Sequence, residues 1–61
     1  MPMTPKQMVK HLKKHQFRTI SQNGSHMKLR DDKGHQVIVP MHNKDLAKGL
    51  EDAILKQAGL K

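Results

Sequence analysis

Cysteine is absent from this chain, so neither a disulfide nor a thiolate metal site can staple it. Tryptophan and tyrosine are absent too, and Phe17 is the one aromatic besides the histidines. That scarcity argues against a platform that stacks bases on exposed rings. It also argues against an interfacial membrane helix, which wants bulky aromatics opposite its basic face. No apolar run approaches the ~20 residues of a membrane span and no signal-peptide pattern opens the chain, so the protein is expected to be soluble and cytoplasmic, without a membrane partner. Acidic residues are few, 5 Asp and Glu against 12 Lys and Arg, with a pI near 10.2. The imbalance points to a polyanionic partner, nucleic acid first, gripped through backbone and charge more than through stacked bases. The 61 residues are read as one domain, residues 1–61, burying about 60% of its unfolded surface.

The most informative stretch is Asn23-Gly24-Ser25-His26-Met27-Lys28-Leu29-Arg30. Asn-Gly is a strong hairpin signal, because both central positions of a type I′ turn take positive φ. Beyond it Ser25, Met27 and Leu29 fall on one parity and His26, Lys28 and Arg30 on the other. Strand side chains alternate faces, so a strand that buries Met27 and Leu29 holds His26, Lys28 and Arg30 in a row on its other face. One titratable imidazole beside two permanent cations suits work on a phosphodiester. Gly-Ser-His-Met also occurs as a vector-derived scar at N-termini; here it lies mid-chain within a patterned strand and is read as native.

Around this stretch the chain punctuates itself. Thr4-Pro5-Lys6-Gln7 predicts a helix start, with Thr4 as cap, Pro5 in the first turn and Gln7 completing a capping box. Met8, Val9 and Leu12 make its apolar stripe, and the Lys6, Lys10 and Lys13 face is read as solvated. Phe17 to Gln22 is the first strand, and a two-residue Asn23-Gly24 loop sets Gln22 opposite Ser25, Ile20 opposite Met27 and Ser21 opposite His26. Phe17 then lies on the wrong parity for the core, so it is expected to precede the ladder or to be corrected by a bulge. Asp31-Asp32-Lys33-Gly34 is the second turn, with Gly34 at the left-handed position of a three-residue loop. That loop pairs Leu29 with Val37, Met27 with Val39 and Lys28 with Ile38. It sends His35 to the buried side and leaves His42 near the His26 end. A second helix is expected from Asn43, as cap, to Gly59, as left-handed stop, on Leu46, Leu50, Ala53, Ile54 and Ala58. Gly49 within it marks either the true start of regular helix or a close approach to the sheet.

The order is helix, three antiparallel strands, helix: an α+β fold, α-β-β-β-α, with both helices on one face of the sheet, like a double-stranded-RNA-binding domain. The other face is expected to carry Thr19, Ser21, His26, Lys28, Arg30 and Ile38.

Gly24-Ser25-His26, then Val39-Pro40 with His42, then Ile54-Leu55-Lys56-Gln57-Ala58-Gly59 resemble the HicA toxins, small bacterial mRNA interferases with a double-stranded-RNA-binding-like fold. The resemblance covers nearly the whole chain in the right order. It implies ribonuclease activity dependent on the histidine of the triplet, here His26, and neutralisation by a HicB-type antitoxin. The chain departs from the family at Gln16, where glycine often precedes the aromatic, and at Leu50, where threonine often follows the last helix's glycine.

RNA is cut without metal when a base removes the 2′-OH proton and the oxygen attacks the adjacent phosphorus. Histidine's ordinary pKa of about 6.5 suits it to that task. His26 is the catalytic candidate, and Lys28, Arg30, Ser25 and His42 are the candidate RNA-binding residues. The general acid is left open among His42, Lys28 and water. No carboxylate is placed to make Ser25 or Ser21 a nucleophile, and Ser25 is read as serving the turn. No cofactor is called for and no metal set is read: His11 and His15 have helical ligand spacing but no carboxylate partner. The competing reading is a non-catalytic double-stranded-RNA-binding module. Such modules grip phosphates with lysines at the start of the last helix, where this chain offers only Lys44 and Lys48 with Asp45 between them.

Overall fold

The computed structural model describes residues 3–42 and 44–61. In chain order they form α1 (Pro5–Lys14), β1 (Arg18–Asn23), β2 (His26–Arg30), β3 (Gln36–Pro40) and α2 (Lys48–Gln57). The strands make one antiparallel sheet in the order β1-β2-β3, with β2 in the middle.

Helix α1 starts as its capping box dictates. Thr4 Oγ1 accepts the Gln7 N–H at 3.1 Å, and Gln7 Oε1 accepts the Thr4 N–H at 2.9 Å. Met8, Val9 and Leu12 are buried on one side of it. It ends in a Schellman turn: Phe17 N–H donates to Leu12 O at 3.1 Å and Gln16 N–H to Lys13 O at 3.3 Å. Gln16 occupies the left-handed position with φ +75°. Glycine takes that conformation freely, whereas a residue with a Cβ gives up about 1–2 kcal/mol. The turn swings Phe17 into the core, 4% exposed, before the ladder begins.

The β2–β3 hairpin has the register read from the sequence: Met27 faces Val39, Lys28 faces Ile38 and Leu29 faces Val37. Gly34 has φ +92°. The Asp31 carboxylate holds the loop together, since Oδ1 accepts from the Lys33 and His35 N–H groups at 3.1 and 2.7 Å. Its Oδ2 lies 2.8 Å from His35 Nδ1. Burial by itself would raise the Asp31 pKa, but these hydrogen bonds from His35 and Lys33 outweigh it and hold the carboxyl below its ordinary 3.8.

The β1–β2 hairpin differs from expectation by one residue. Asn23 pairs with His26, Gln22 with Met27 and Ser21 with Lys28, so the loop residues are Gly24 and Ser25. The cause is conformational. Gly24 alone takes positive φ, +61°, as the first central residue of a type II′ turn does, and Asn23 stays in the strand. A bulge then follows, because Thr19 pairs with Leu29 while Ser21 pairs with Lys28, leaving Ile20 extra. Ile20, expected in the core opposite Met27, is 46% exposed. Thr19, expected on the open face, turns to the helix side, where its hydroxyl lies 3.4 Å from Met27 Sδ.

Helix α2 begins at Lys48, with Ala47 as its N-cap and no side-chain cap bond. The expected cap, Asn43, lies outside the described residues. Leu46 is buried ahead of the helix, its N–H donating to Met3 O at 2.8 Å, so it seals the core from a non-helical segment. Of the two roles open to Gly49, the structure supports the first: it sits in the opening turn, with nothing within 4 Å of where a Cβ would be. Of the expected apolar stripe, Leu50 and Ala53 are exposed, while Ile54 and the cap residue Ala58 are buried as expected. A second Schellman turn closes it at Gly59, φ +74°, with Leu60 N–H on Leu55 O at 2.9 Å.

Leu29, Val37 and Val39 on one sheet face join Met8, Val9 and Leu12 of α1 and Ile54 of α2 in a single core. Both helices therefore cover that face, and Ile38 on the other is 47% exposed.

Two expectations follow from these local geometries. Gln16→Gly should stabilise the protein by about 0.5–1 kcal/mol in urea unfolding, the relieved left-handed strain less glycine's extra chain entropy. Because the Asp31 pKa is lowered by folding, its stabilising contribution is present above 3.8 and is lost as pH falls through the folded value. The urea midpoint of the wild type should drop more steeply than that of Asp31→Asn between about pH 5 and about pH 2.

Candidate functional site

Strand pairing lays the open face out in three rows: Asn23, His26 and Pro40; Ser21, Lys28 and Ile38; Arg18, Arg30 and Gln36. Directly opposed residues stand about 4.5–5.5 Å apart at Cβ, so each row is a set of touching neighbours. Pro40 lacks an N–H, yet the pairing continues past it because Met41 N–H donates to Ser25 O. That bond holds the β1–β2 turn against the end of β3 and fixes the surroundings of His26.

A shallow depression of about 260 Å³ opens there, lined by Ser21, Asn23, His26, Lys28 and Ile38. His26 is exposed and Lys28 half-buried, two residues apart on the same strand face, hence roughly 7 Å apart along it. No carboxylate lines this depression. At the other end of the face Arg18, Ile20 and Arg30 meet Asp31 and Asp32 around a second hollow of about 440 Å³. Arg18 pairs with Asp32 at 2.7 Å, both side chains largely exposed, so the pair contributes little to stability but partly neutralises that end. The anion-attracting potential is therefore least opposed at the His26 end.

Of the residues singled out from sequence, His26 and Lys28 share one hollow and Arg30 stands in the next. Ser25 lies in the turn, with its carbonyl taken by Met41. His42 follows at the same end, exposed, its Nδ1 accepting the Lys44 N–H at 3.3 Å. Neither Ser25 nor His42 lines the depression. His35 is on the helix side, in a groove of about 530 Å³ with Lys14, Phe17 and Gly59, where its ring leaves no room for a Cβ at Gly59. His11 on α1 and His15 at its C-cap form an edge-to-face pair at 4.8 Å.

Asn23 and Arg18 belong to the open face, and neither was assigned to it from sequence. The shifted turn returns Asn23 to the strand, and the bulge sets Arg18 beside Arg30. The one signal of the bulge was the parity conflict at Phe17. Among the described residues no three His, Asp or Glu side chains converge as a metal-binding group. No described helix is long and apolar enough to cross a membrane.

A search of curated proteins gave no match. A family model described as the HicA toxin of bacterial toxin–antitoxin systems matches residues 5–60, from the first residue of α1 to beyond the glycine that closes α2. That span takes in both helices, all three strands and the hollow around His26, and by it the chain belongs to the HicA toxin family.

Proposed function

We propose that this toxin is an endoribonuclease that cuts mRNA without a metal ion, as one domain over residues 1–61, and so arrests translation and growth. The observation that carries the reading is His26 and Lys28 side by side in a carboxylate-free hollow on a sheet face that no helix covers.

In the proposed reaction neutral His26 removes the proton from a ribose 2′-OH. The freed oxygen attacks the adjacent phosphorus, the bond to the 5′-oxygen breaks, and that oxygen takes a proton from His42, from Lys28 or from water. The products are a 2′,3′-cyclic phosphate and a 5′-hydroxyl. Charge builds on the non-bridging phosphoryl oxygens as the new bond forms, and the Lys28 ammonium is placed to meet it. Arg30, one row further along, and Asn23, opposite His26, hold the flanking backbone and sugar. Ser25 acts through the turn that positions His26.

A HicB-type antitoxin with an acidic surface would inhibit by covering the same face. Ile20 and Ile38, exposed among the cations, supply apolar anchors for such a protein interface.

His26→Ala should reduce RNA cleavage by at least about 10²-fold and relieve growth arrest while the protein stays folded, since the side chain is exposed. His42→Ala should slow cleavage more than His35→Ala, whose ring lies across the sheet. A folded His26→Ala protein that still cuts would remove His26 from the chemistry. If it and the wild type bind RNA alike and neither cuts, the non-catalytic RNA-binding reading stands instead. Cleavage should persist in EDTA and leave 2′,3′-cyclic or 3′-phosphate ends, read by labelling of the fragments. Activity lost in EDTA and restored by a divalent metal would contradict the mechanism.

A further inference from the structure

The positive charge of this protein is divided very unevenly. Residues 1–30 hold seven Lys and Arg and no Asp or Glu, while residues 31–61 hold five of each, so the whole net charge of +7 belongs to the first half. Only three of those seven cations, Arg18, Lys28 and Arg30, lie on the sheet. The other four, Lys6, Lys10, Lys13 and Lys14, are on α1, all exposed.

Their placement on the helix is one-sided. At about 100° per residue, Lys6, Lys10 and Lys14 step round by about 40° each and Lys13 lies just beside Lys6, so all four fall within roughly 100° of arc. Met8 and Leu12, both fully buried, mark the opposite side. Lys13 and Lys14 suit the last turn, where cations meet the negative end of the helix dipole, but Lys6 and Lys10 have no such role. Like charges at i,i+4 repel, and Lys6 in the first turn opposes the helix dipole. Nor, among the described residues, are the α1 lysines neutralised by ion pairs: Asp31, Asp32 and Asp52 take His35, Arg18 and Lys61, Glu51 accepts the Met3 N–H, and Asp45 makes no ion pair with them. A solvated face kept for solubility would mix signs.

We infer that the outer face of α1 is a second phosphate-binding surface, which grips the sugar–phosphate backbone of the RNA that the His26 face cuts. The inference rests on the proposed function and extends its substrate from a dinucleotide step to a longer tract. Lys6, Lys10 and Lys14 succeed one another at about 6 Å along the axis, of the order of the spacing between phosphates on one strand. The surface fits a nucleic-acid backbone better than a protein. Among the described residues the large exposed apolar side chains are Ile20, Ile38 and Leu50, and α1 carries none of them, whereas a protein interface needs an apolar centre. A membrane would want the same apolar flank. The ridge and the His26 hollow lie on opposite faces of the two layers, and the molecule's shortest dimension is 16 Å. An RNA of a few nucleotides therefore cannot occupy both, and a long one can.

The test uses the full chain. Lys6→Gln/Lys10→Gln/Lys14→Gln is compared with Lys48→Gln/Lys56→Gln/Lys61→Gln, which removes the same charge from α2 and its C-terminal flank. Circular dichroism should show both folded, since glutamine keeps helix propensity. In a His26→Ala background, binding to a single-stranded RNA of about 30 nucleotides is measured against salt. The α1 set should flatten the log K against log salt slope by about 2, roughly 0.7 for each lost phosphate contact, and weaken binding at least tenfold near 0.1 M salt. The α2 set should leave the slope nearly unchanged. With His26 intact, the α1 set should raise KM for the long RNA and cut a four-nucleotide substrate as well as the wild type does. Equal slopes for the two sets would overturn the inference, because net charge alone would then account for binding. Unchanged RNA binding with loss of antitoxin binding would overturn it in favour of a protein partner. Failure of the wild type to bind RNA at all would overturn both this inference and the proposed function, whereas intact RNA cleavage with equal slopes would remove the inference alone.

Discussion

Burial of Leu29 decides which way the rest of β2 points. Leu29 lies between Thr19 and Val37 in the sheet and is fully buried in the core that both helices share. Because a strand alternates, placing this one side chain inside forces Lys28 and Arg30 outside, and His26 with them. Truncating a buried leucine typically costs 2–5 kcal/mol, a large part of the stability of a domain this small. A slip of one residue would bury two cations and the imidazole, so the orientation of the candidate site and the integrity of the core are a single constraint.

The two hairpins show how far such a constraint can be read in advance. In the β2–β3 loop, Asp31 and Gly34 each have one role, and the register follows from them. In the β1–β2 loop, Asn23 and Gly24 both tolerate left-handed backbone, so two adjacent turns were compatible with the same letters. The chain adopts the one in which only glycine takes positive φ. A bulge leaves almost no local trace, and its effects at Thr19, Ile20 and Arg18 became visible only through pairing. The helices divide in the same way. The start of α1 is written in side chains that hydrogen-bond one another, whereas α2 begins at Ala47 without any side-chain bond. Leu46 has the spacing of a helical core residue but is buried from a segment ahead of the helix. His26, Lys28 and Arg30 were legible because parity along one strand is robust; Asn23 was not, since its place depends on which turn wins.

Gln16 stands at a left-handed position that glycine would take without strain, and the structure shows what a side chain there entails. The left-handed cap is kept, and the side chain bears the strain. The position is required by geometry, because it delivers Phe17 to the core from the end of α1. A tolerable local penalty is offset by burial of the chain's only phenylalanine.

The bulge at Ile20 bears on how the molecule behaves in a crowd. β1 is an outer strand whose six residues are all exposed, and a regular strand in that position offers unpaired amides to any other extended chain. Here the backbone is interrupted between Thr19 and Ser21, which leaves two runs of two or three residues on either side of a kink. Such short, offset runs make a poor template, and Arg18 adds its charge beside them. The irregularity that obscured the register from sequence thus also protects a small basic protein from growing into its neighbours edge to edge.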